Sequence, residues 1–142
     1  MDIKIKKISP IAIIPRYAHE GDAGMDVFSV IDKTIAPGTS ALIGTGIALE
    51  IPLGYEVQVR PRSGLALKNG ITVLNSPGTI DSGYRGEIGV ILINHGQDDF
   101  IVTKGMKIAQ LVFAKYETVS LTLVDELNES QRRANGFGST GV

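Results

Sequence analysis

The chain reads as all-β, a jelly-roll-like β-barrel with one short helix and a flexible C-terminal arm. Three observations lead there. The 17 glycines and 6 prolines punctuate short apolar runs along the whole length, the pattern of many strands joined by tight turns. Tyr55-Glu56-Val57-Gln58-Val59-Arg60 alternates strictly, with Tyr, Val and Val on one face and Glu, Gln and Arg on the other, as a half-buried strand does. Only one segment looks helical: Ser63 is placed to cap Gly64–Lys68, and Asn69-Gly70 to end it in a left-handed turn.

The strands are expected in this order: Ile3–Ile8, Met25–Ser29, Ala41–Ile51, Tyr55–Arg60, Ile71–Leu74, Glu87–Asn94, Phe100–Thr103, Lys107–Phe113 and Val119–Leu123. Glycines at 38, 54, 78, 86, 96 and 105 fall between or beside these runs, where turns need them. Ile88–Ile93 and Leu111–Phe113 are apolar on both faces. One face serves the barrel interior and the other needs a second cover, which points to a homo-oligomer. No repeat of 20–50 residues is present. At 142 residues the chain makes one domain with its own core, divided into a body over 1–128 and an arm over 129–142.

Composition excludes several classes. A net charge of -1 marks no nucleic-acid footprint and no attraction to an anionic membrane surface. With no cysteine, disulfides and thiolate catalysis are removed, and with only His19 and His95 a zinc site is disfavoured. Met1–Lys7 reads as an alternating strand, not as a signal peptide's apolar core, and no run reaches membrane-spanning length. A soluble cytoplasmic protein is expected.

Five segments are too polar or too Gly-rich to be strand filler. Asp22-Ala23-Gly24-Met25-Asp26 sets two carboxylates around small residues; they suit a hydrated metal, or turn-forming aspartates that cap backbone N–H groups. Pro61-Arg62-Ser63-Gly64 offers a guanidinium, a hydroxyl and free amides at a helix start, an anion site or an ordinary strand-to-helix turn. Ser63 as a nucleophile lacks both Gly-x-Ser-x-Gly and a histidine partner. Asn75-Ser76-Pro77 precedes Gly78-Thr79-Ile80-Asp81-Ser82-Gly83-Tyr84-Arg85-Gly86-Glu87, where Asp and Tyr on one loop pair a base with an aromatic wall. In Lys107-Ile108-Ala109-Gln110-Leu111 a polar Gln110 interrupts an apolar run; it points outward or donates to a ligand. Gly136-Phe137-Gly138-Ser139-Thr140-Gly141 has the letters of a dinucleotide fingerprint. That fingerprint works only between a strand and a helix, so the expectation is an arm able to fold over a phosphorylated ligand, or a plain Gly/Ser tail.

Taken together and in this order, the segments Ala-Gly-x-Asp, Pro-Arg-Ser-Gly, Gly-x-Ile-Asp-x-x-Tyr-Arg-Gly, Lys-Ile-Ala-Gln-Leu and Gly-Phe-Gly-Ser-Thr-Gly closely resemble the trimeric dUTPases, from about Ala12 to Gly141. The resemblance implies the β-clip fold of that family and Mg²⁺-dependent hydrolysis of dUTP to dUMP and pyrophosphate, which keeps uracil out of DNA and supplies dUMP for dTMP synthesis. It implies Asp81 as the general base that orients water toward the α-phosphorus. An ordinary carboxylate is a weak base, so its contribution is largely placement of that water. Tyr84 is implied against the deoxyribose, excluding a 2′-hydroxyl. Asn75 is implied as a reader of uracil, completed by backbone groups of Thr79, Ile80 and Gly89 on a β-hairpin too close to admit a methyl.

By the same resemblance, Arg62, Ser63, Gly64 and Gln110 bind phosphates, and Asp26 holds Mg²⁺ through water, with no direct protein ligand. Arg132 reaches the γ-phosphate, Phe137 stacks on uracil, and Gly138, Ser139 and Thr140 grip the terminal phosphates. Three subunits share each site: one gives the phosphate segments, a second the Asp81 loop, the third the arm. Gly83 stands where many relatives carry an acidic residue, and Arg133 where a glycine usually follows the arm's arginine. Two other readings are a dCTP deaminase, for which Glu87 is the nearby carboxylate, and a nucleotide sensor without catalysis, which ought to lack Asp81, Tyr84 or the arm.

Overall fold

A computed structural model describes residues 1–141; Val142, the last residue of the expected arm, lies outside the described residues. Eleven strands and one helix follow one another as β1 (Lys4–Lys7), β2 (Gly24–Phe28), β3 (Lys33–Ile35), β4 (Ser40–Gly44), β5 (Ile47–Glu50), β6 (Tyr55–Arg60), α1 (Ser63–Asn69), β7 (Ile71–Val73), β8 (Gly78–Ile80), β9 (Gly89–Asn94), β10 (Phe100–Val102) and β11 (Lys107–Lys115). The all-β expectation holds. Every pairing is antiparallel, in sheets ordered β2-β11-β6-β8, β4-β9-β7, β1-β5 and β10-β3. Their inward residues, among them Val27, Ile43, Val57, Val59, Val90, Leu92 and Leu111, form one hydrophobic cluster.

The alternation of β6 is realised as read: Val57 and Val59 are buried while Glu56, Gln58 and Arg60 are not. The run Ala41–Ile51, expected as one strand, is two. The chain changes partners at Thr45-Gly46, where β4 leaves β9 and β5 joins β1. Gly46 takes φ 67°, and a side chain there would meet Ser9 Cβ at 2.8 Å. Thr45 fixes the corner by donating its hydroxyl to the Ile88 carbonyl at 2.6 Å. A bend at which a strand switches sheets is how stacked sheets turn corners.

Three further differences matter. Helix α1 begins at Ser63 itself, with extended Arg62 in the capping position and no side-chain cap, so Ser63 is not the cap. Its other end matches expectation: Gly70 at φ 67° donates its N–H to the Ala66 carbonyl. The expected strand Val119–Leu123 does not form; its residues are exposed and have no partner strand. Backbone polar groups of a lone strand gain nothing over water, so alternation alone cannot make it extended. The outer faces of β9 and β11 stay partly open, with Ile91, Ile93 and Val112 half-buried and Leu42 and Leu74 exposed, while Phe113 packs inward against the core.

Candidate functional site

The expected site residues fall into three groups in this protomer. Thr79, Ile80, Asp81, Tyr84 and Gly89 line one cleft of about 210 Å³, with Glu87 and Ile88. β8 is the edge strand of its sheet, and β9 belongs to another sheet. The expected hairpin is therefore open: β8 and β9 are not bonded to each other, and the loop 81–88 spans the gap. An edge strand leaves one row of N–H and C=O groups unpaired, and the edge of β8 offers them to a ligand.

Loop 81–88 is held by its own backbone and two glycines. The Tyr84 N–H donates to the Asp81 carbonyl at 3.1 Å. The Tyr84 hydroxyl donates to the Glu87 carbonyl at 2.9 Å. Glu87 is fixed in turn, its Oε1 accepting the Gly46 N–H at 2.7 Å. A Cβ on Gly44 would come within 2.9 Å of that oxygen, and one on Gly86 within 2.5 Å of the Tyr84 hydroxyl. Gly44 and Gly86 are thus the spaces into which the Glu87 carboxylate and the Tyr84 ring fit. Arg85 closes the loop by donating through Nη1 to the carbonyls of Ser82 at 2.6 Å and Tyr84 at 3.1 Å. Asp81 stands exposed at the cleft.

The second group surrounds Asp26 on β2. Asp26 is 3% exposed, yet its carboxylate meets Lys107 Nζ at 2.8 Å and Arg62 Nε at 3.5 Å, and accepts from Gln110 Nε2 at 3.4 Å. Burial pushes the Asp26 pKa up, but hydrogen bonds from Lys107 and Gln110 and the charges of Lys107 and Arg62 outweigh it and hold the group below its ordinary value. Gln110 reaches Asp26 because the two are paired across β11 and β2. Gly24 makes room: a Cβ there would lie 2.9 Å from Gln110 Oε1. Ser63 and Gly64 are exposed beside this corner on the first turn of α1. Two cations against one carboxylate leave an excess positive charge suited to an anion. Among the described residues no group of three or more His, Cys, Asp or Glu side chains is placed to hold a metal.

These two groups lie at opposite ends of one strand pair. Gly78 sits opposite Val59 and Ile80 opposite Val57, so Asp81 leaves the sheet at the Tyr55 end of β6 and Arg62 at the Arg60 end. From Val57 to Arg62 the chain advances roughly 16 Å at ~3.3 Å per residue. Asn75 enters β8 from the Arg60 end and is not among the cleft-lining residues. The third group, Arg132, Phe137, Gly138, Ser139 and Thr140, curls on itself. Every residue from Lys115 to Gly141 is exposed. Arg132 Nε donates to the Asn135 carbonyl at 2.9 Å, and Arg133 takes φ 51°.

The family model for dUTPase matches residues 11–141. The chain belongs to the dUTPase family. The deoxyuridine 5'-triphosphate nucleotidohydrolases of Trichodesmium erythraeum and Alkaliphilus metalliredigens are each 62% identical to it, the first over 100% of both chains, the second over 99% of this chain and 98% of its own. Among solved structures, a variant of Staphylococcus bacteriophage 80alpha dUTPase with dUpNHpp superposes with a TM-score of 0.93 at 30% identity, covering 99% of each chain. A variant dUTPase from phage phi11 of S. aureus, described with a structural Mg(II) ion, gives 0.83 at 27% identity over 89% of this chain and 98% of its own. This dUTPase-family chain has no helix, among the described residues, long and apolar enough to cross a membrane.

Lys107, Gly24 and Gly86 carry no site role in the sequence reading, and Glu87 enters it only as the carboxylate of the deaminase alternative. The glycines lie within the recognised segments, but their function, admitting a neighbouring side chain, has no signature in one dimension.

Proposed function

We propose that this chain hydrolyses dUTP to dUMP and pyrophosphate in sites assembled from three copies. The observation that carries the shared site is the separation just described: Asp81 and the Arg62 corner leave opposite ends of the β6–β8 pair, too far apart for one triphosphate to touch both within a protomer. A second copy that sets its Asp81 cleft against this corner brings base and phosphate groups together. The exposed tail, unpacked against its own body, suits a third. The half-buried apolar faces of β9 and β11 supply surface for that assembly.

In this arrangement the cleft takes the nucleoside. The free edge of β8 and the backbone at Gly89 read the uracil edge, with Asn75 approaching from the neighbouring turn. Tyr84, pinned through its hydroxyl to the Glu87 carbonyl, presents its ring to the deoxyribose and leaves no space for a 2′-hydroxyl. A ribose hydroxyl buried there without a partner costs about 1–3 kcal/mol. Asp81 accepts a proton from the attacking water and sets it in line with the leaving pyrophosphate. Arg62, Ser63, Gly64 and Gln110 bind the phosphates. From the arm, Arg132 and the amides and hydroxyls of Gly138, Ser139 and Thr140 hold the terminal ones, Phe137 stacks on the base, and closure excludes water.

Mg²⁺ fits this chain as an ion brought in with the triphosphate, because Asp26, the buried carboxylate at the Arg62 corner, is already paired with Lys107 at 2.8 Å. Asp26 would hold it through water. Bound there, the ion supplies charge neutralisation on the phosphates. Glu87 speaks against a deaminase: its carboxylate is spent on the Gly46 amide. The test is pyrophosphate release from dUTP, UTP, dTTP and dCTP with Mg²⁺. Turnover of dUTP at least 10²-fold above the others is expected; equal turnover of UTP, or uracil products from dCTP, contradicts the reading.

A further inference from the structure

We propose that Lys107 is a positioning residue that keeps the Arg62 guanidinium available to phosphate. The proposal rests on the reading of Arg62 as a phosphate ligand. A carboxylate as buried as Asp26 must have a cationic partner, and two compete for it. Lys107 holds it at 2.8 Å, within ordinary hydrogen-bond length, whereas Arg62 comes to 3.5 Å through Nε, beyond a good hydrogen bond. The lysine therefore satisfies the carboxylate, and the terminal amino groups of Arg62 are left for another anion.

The backbone is built to place that lysine. Lys107 lies three residues before Gln110, and in a regular strand two residues three apart point to opposite faces. Between Lys107 and Ala109 the register of β11 against β2 shifts, so that Lys107 stands opposite Phe28 while Gln110 stands opposite Asp26. Phe28 and Asp26 are two apart on β2 and share a face. The bulge thus turns Lys107 onto the side where Gln110 and Asp26 meet, the re-aiming that bulges beside functional sites perform. Without the ammonium, the nearest cation to Asp26 is Arg62. A small rotation would let its planar fork close on the carboxylate in the bidentate geometry arginine prefers, withdrawing it from substrate.

The test is a double-mutant cycle on the full chain, read as binding of inorganic pyrophosphate without metal by calorimetry, with deoxyuridine as the control ligand. Lys107→Met is expected to weaken pyrophosphate binding about tenfold and to leave deoxyuridine unchanged. Lys107→Arg should restore pyrophosphate binding to within about threefold of wild type. In an Arg62→Met background, Lys107→Met should add nothing, since its effect passes through Arg62. If the two effects multiply, Lys107 acts on phosphate by itself and the proposal is wrong while the role of Arg62 stands. If Arg62→Met leaves pyrophosphate binding intact, the assignment of Arg62 falls first. Should Lys107→Met not fold, Asp26→Asn with Lys107→Met removes the uncompensated carboxylate; near-normal binding in that pair supports the proposal, and a tenfold loss overturns it.

Discussion

At the Tyr55 end of β6, Asp81, Tyr84 and Arg85 are exposed on a loop held by backbone carbonyls, a tyrosine hydroxyl and two glycine-shaped spaces. At the Arg60 end, Asp26 is buried and held by two cations and an amide. The first end is shaped by sterics and neutral hydrogen bonds, the means by which a protein recognises a base and a sugar. The second is organised by charge, the means by which it recognises phosphate. A nucleoside triphosphate needs both, and one protomer keeps them apart. Specificity is therefore expected to reside in the geometry of one end, turnover in the meeting of the two.

Variants at each end sharpen that contrast. Asp81→Asn should lower kcat by about 10²–10⁴-fold while calorimetry still finds binding of a non-hydrolysable dUTP analogue; a near-normal kcat would remove Asp81 from the chemistry. Truncation after Arg133 should lower kcat/KM by on the order of 10²-fold, the scale of lost positioning, with the assembly unchanged in light scattering. Gly86→Ala should cost about tenfold in discrimination of dUTP from UTP, because its Cβ would stand 2.5 Å from the Tyr84 hydroxyl and move the ring. Tyr84→Phe, which loses one exposed hydrogen bond but keeps the ring, should cost only a few-fold; the reverse order would show that the hydroxyl, not the ring position, sets specificity.

The smallest effect is one of pH, and it belongs to the charged end alone. The pKa of Asp26 is held below its ordinary value of 3.8, so its ion pairs stabilise the fold fully above that value and lose their contribution as pH falls through the lower, folded one. Unfolding midpoints of wild type and Asp26→Asn should therefore change their separation below about pH 4 and hold it steady above. A separation that changes only near neutrality would implicate another group.

Strand β6 was legible because its alternation is local, and the end of α1 because Asn69-Gly70 is a local stop. The corner at Thr45-Gly46 was not, since it is a change of partner between β9 and β1 that neighbouring letters do not encode. β3 was missed because Lys33 and Thr34 are exposed and only Ile35 faces inward; β8, because Gly78 resembles a turn until Val59 is seen 3.2 Å from where its Cβ would be. Val119–Leu123 shows the opposite failure, an alternation that finds no partner strand among the described residues. At the site, recognisable segments named Asp26, Arg62, Asp81, Tyr84 and Gln110. Lys107 was not legible, because it shares a face with Gln110 only through the register shift between Lys107 and Ala109, which neighbouring letters do not encode.

Subunit mixing probes the shared site most directly. Asp81→Asn and Arg62→Met are each expected to be nearly inactive; unfolded together in equal amounts and refolded, with wild type as the refolding control, they assort at random. If Asp81 and Arg62 of a working site come from different copies, about one quarter of the sites receive both intact side chains, and that fraction of wild-type turnover should return. No recovery beyond the two parents, with the control refolded, would mean that both groups serve one site from the same copy.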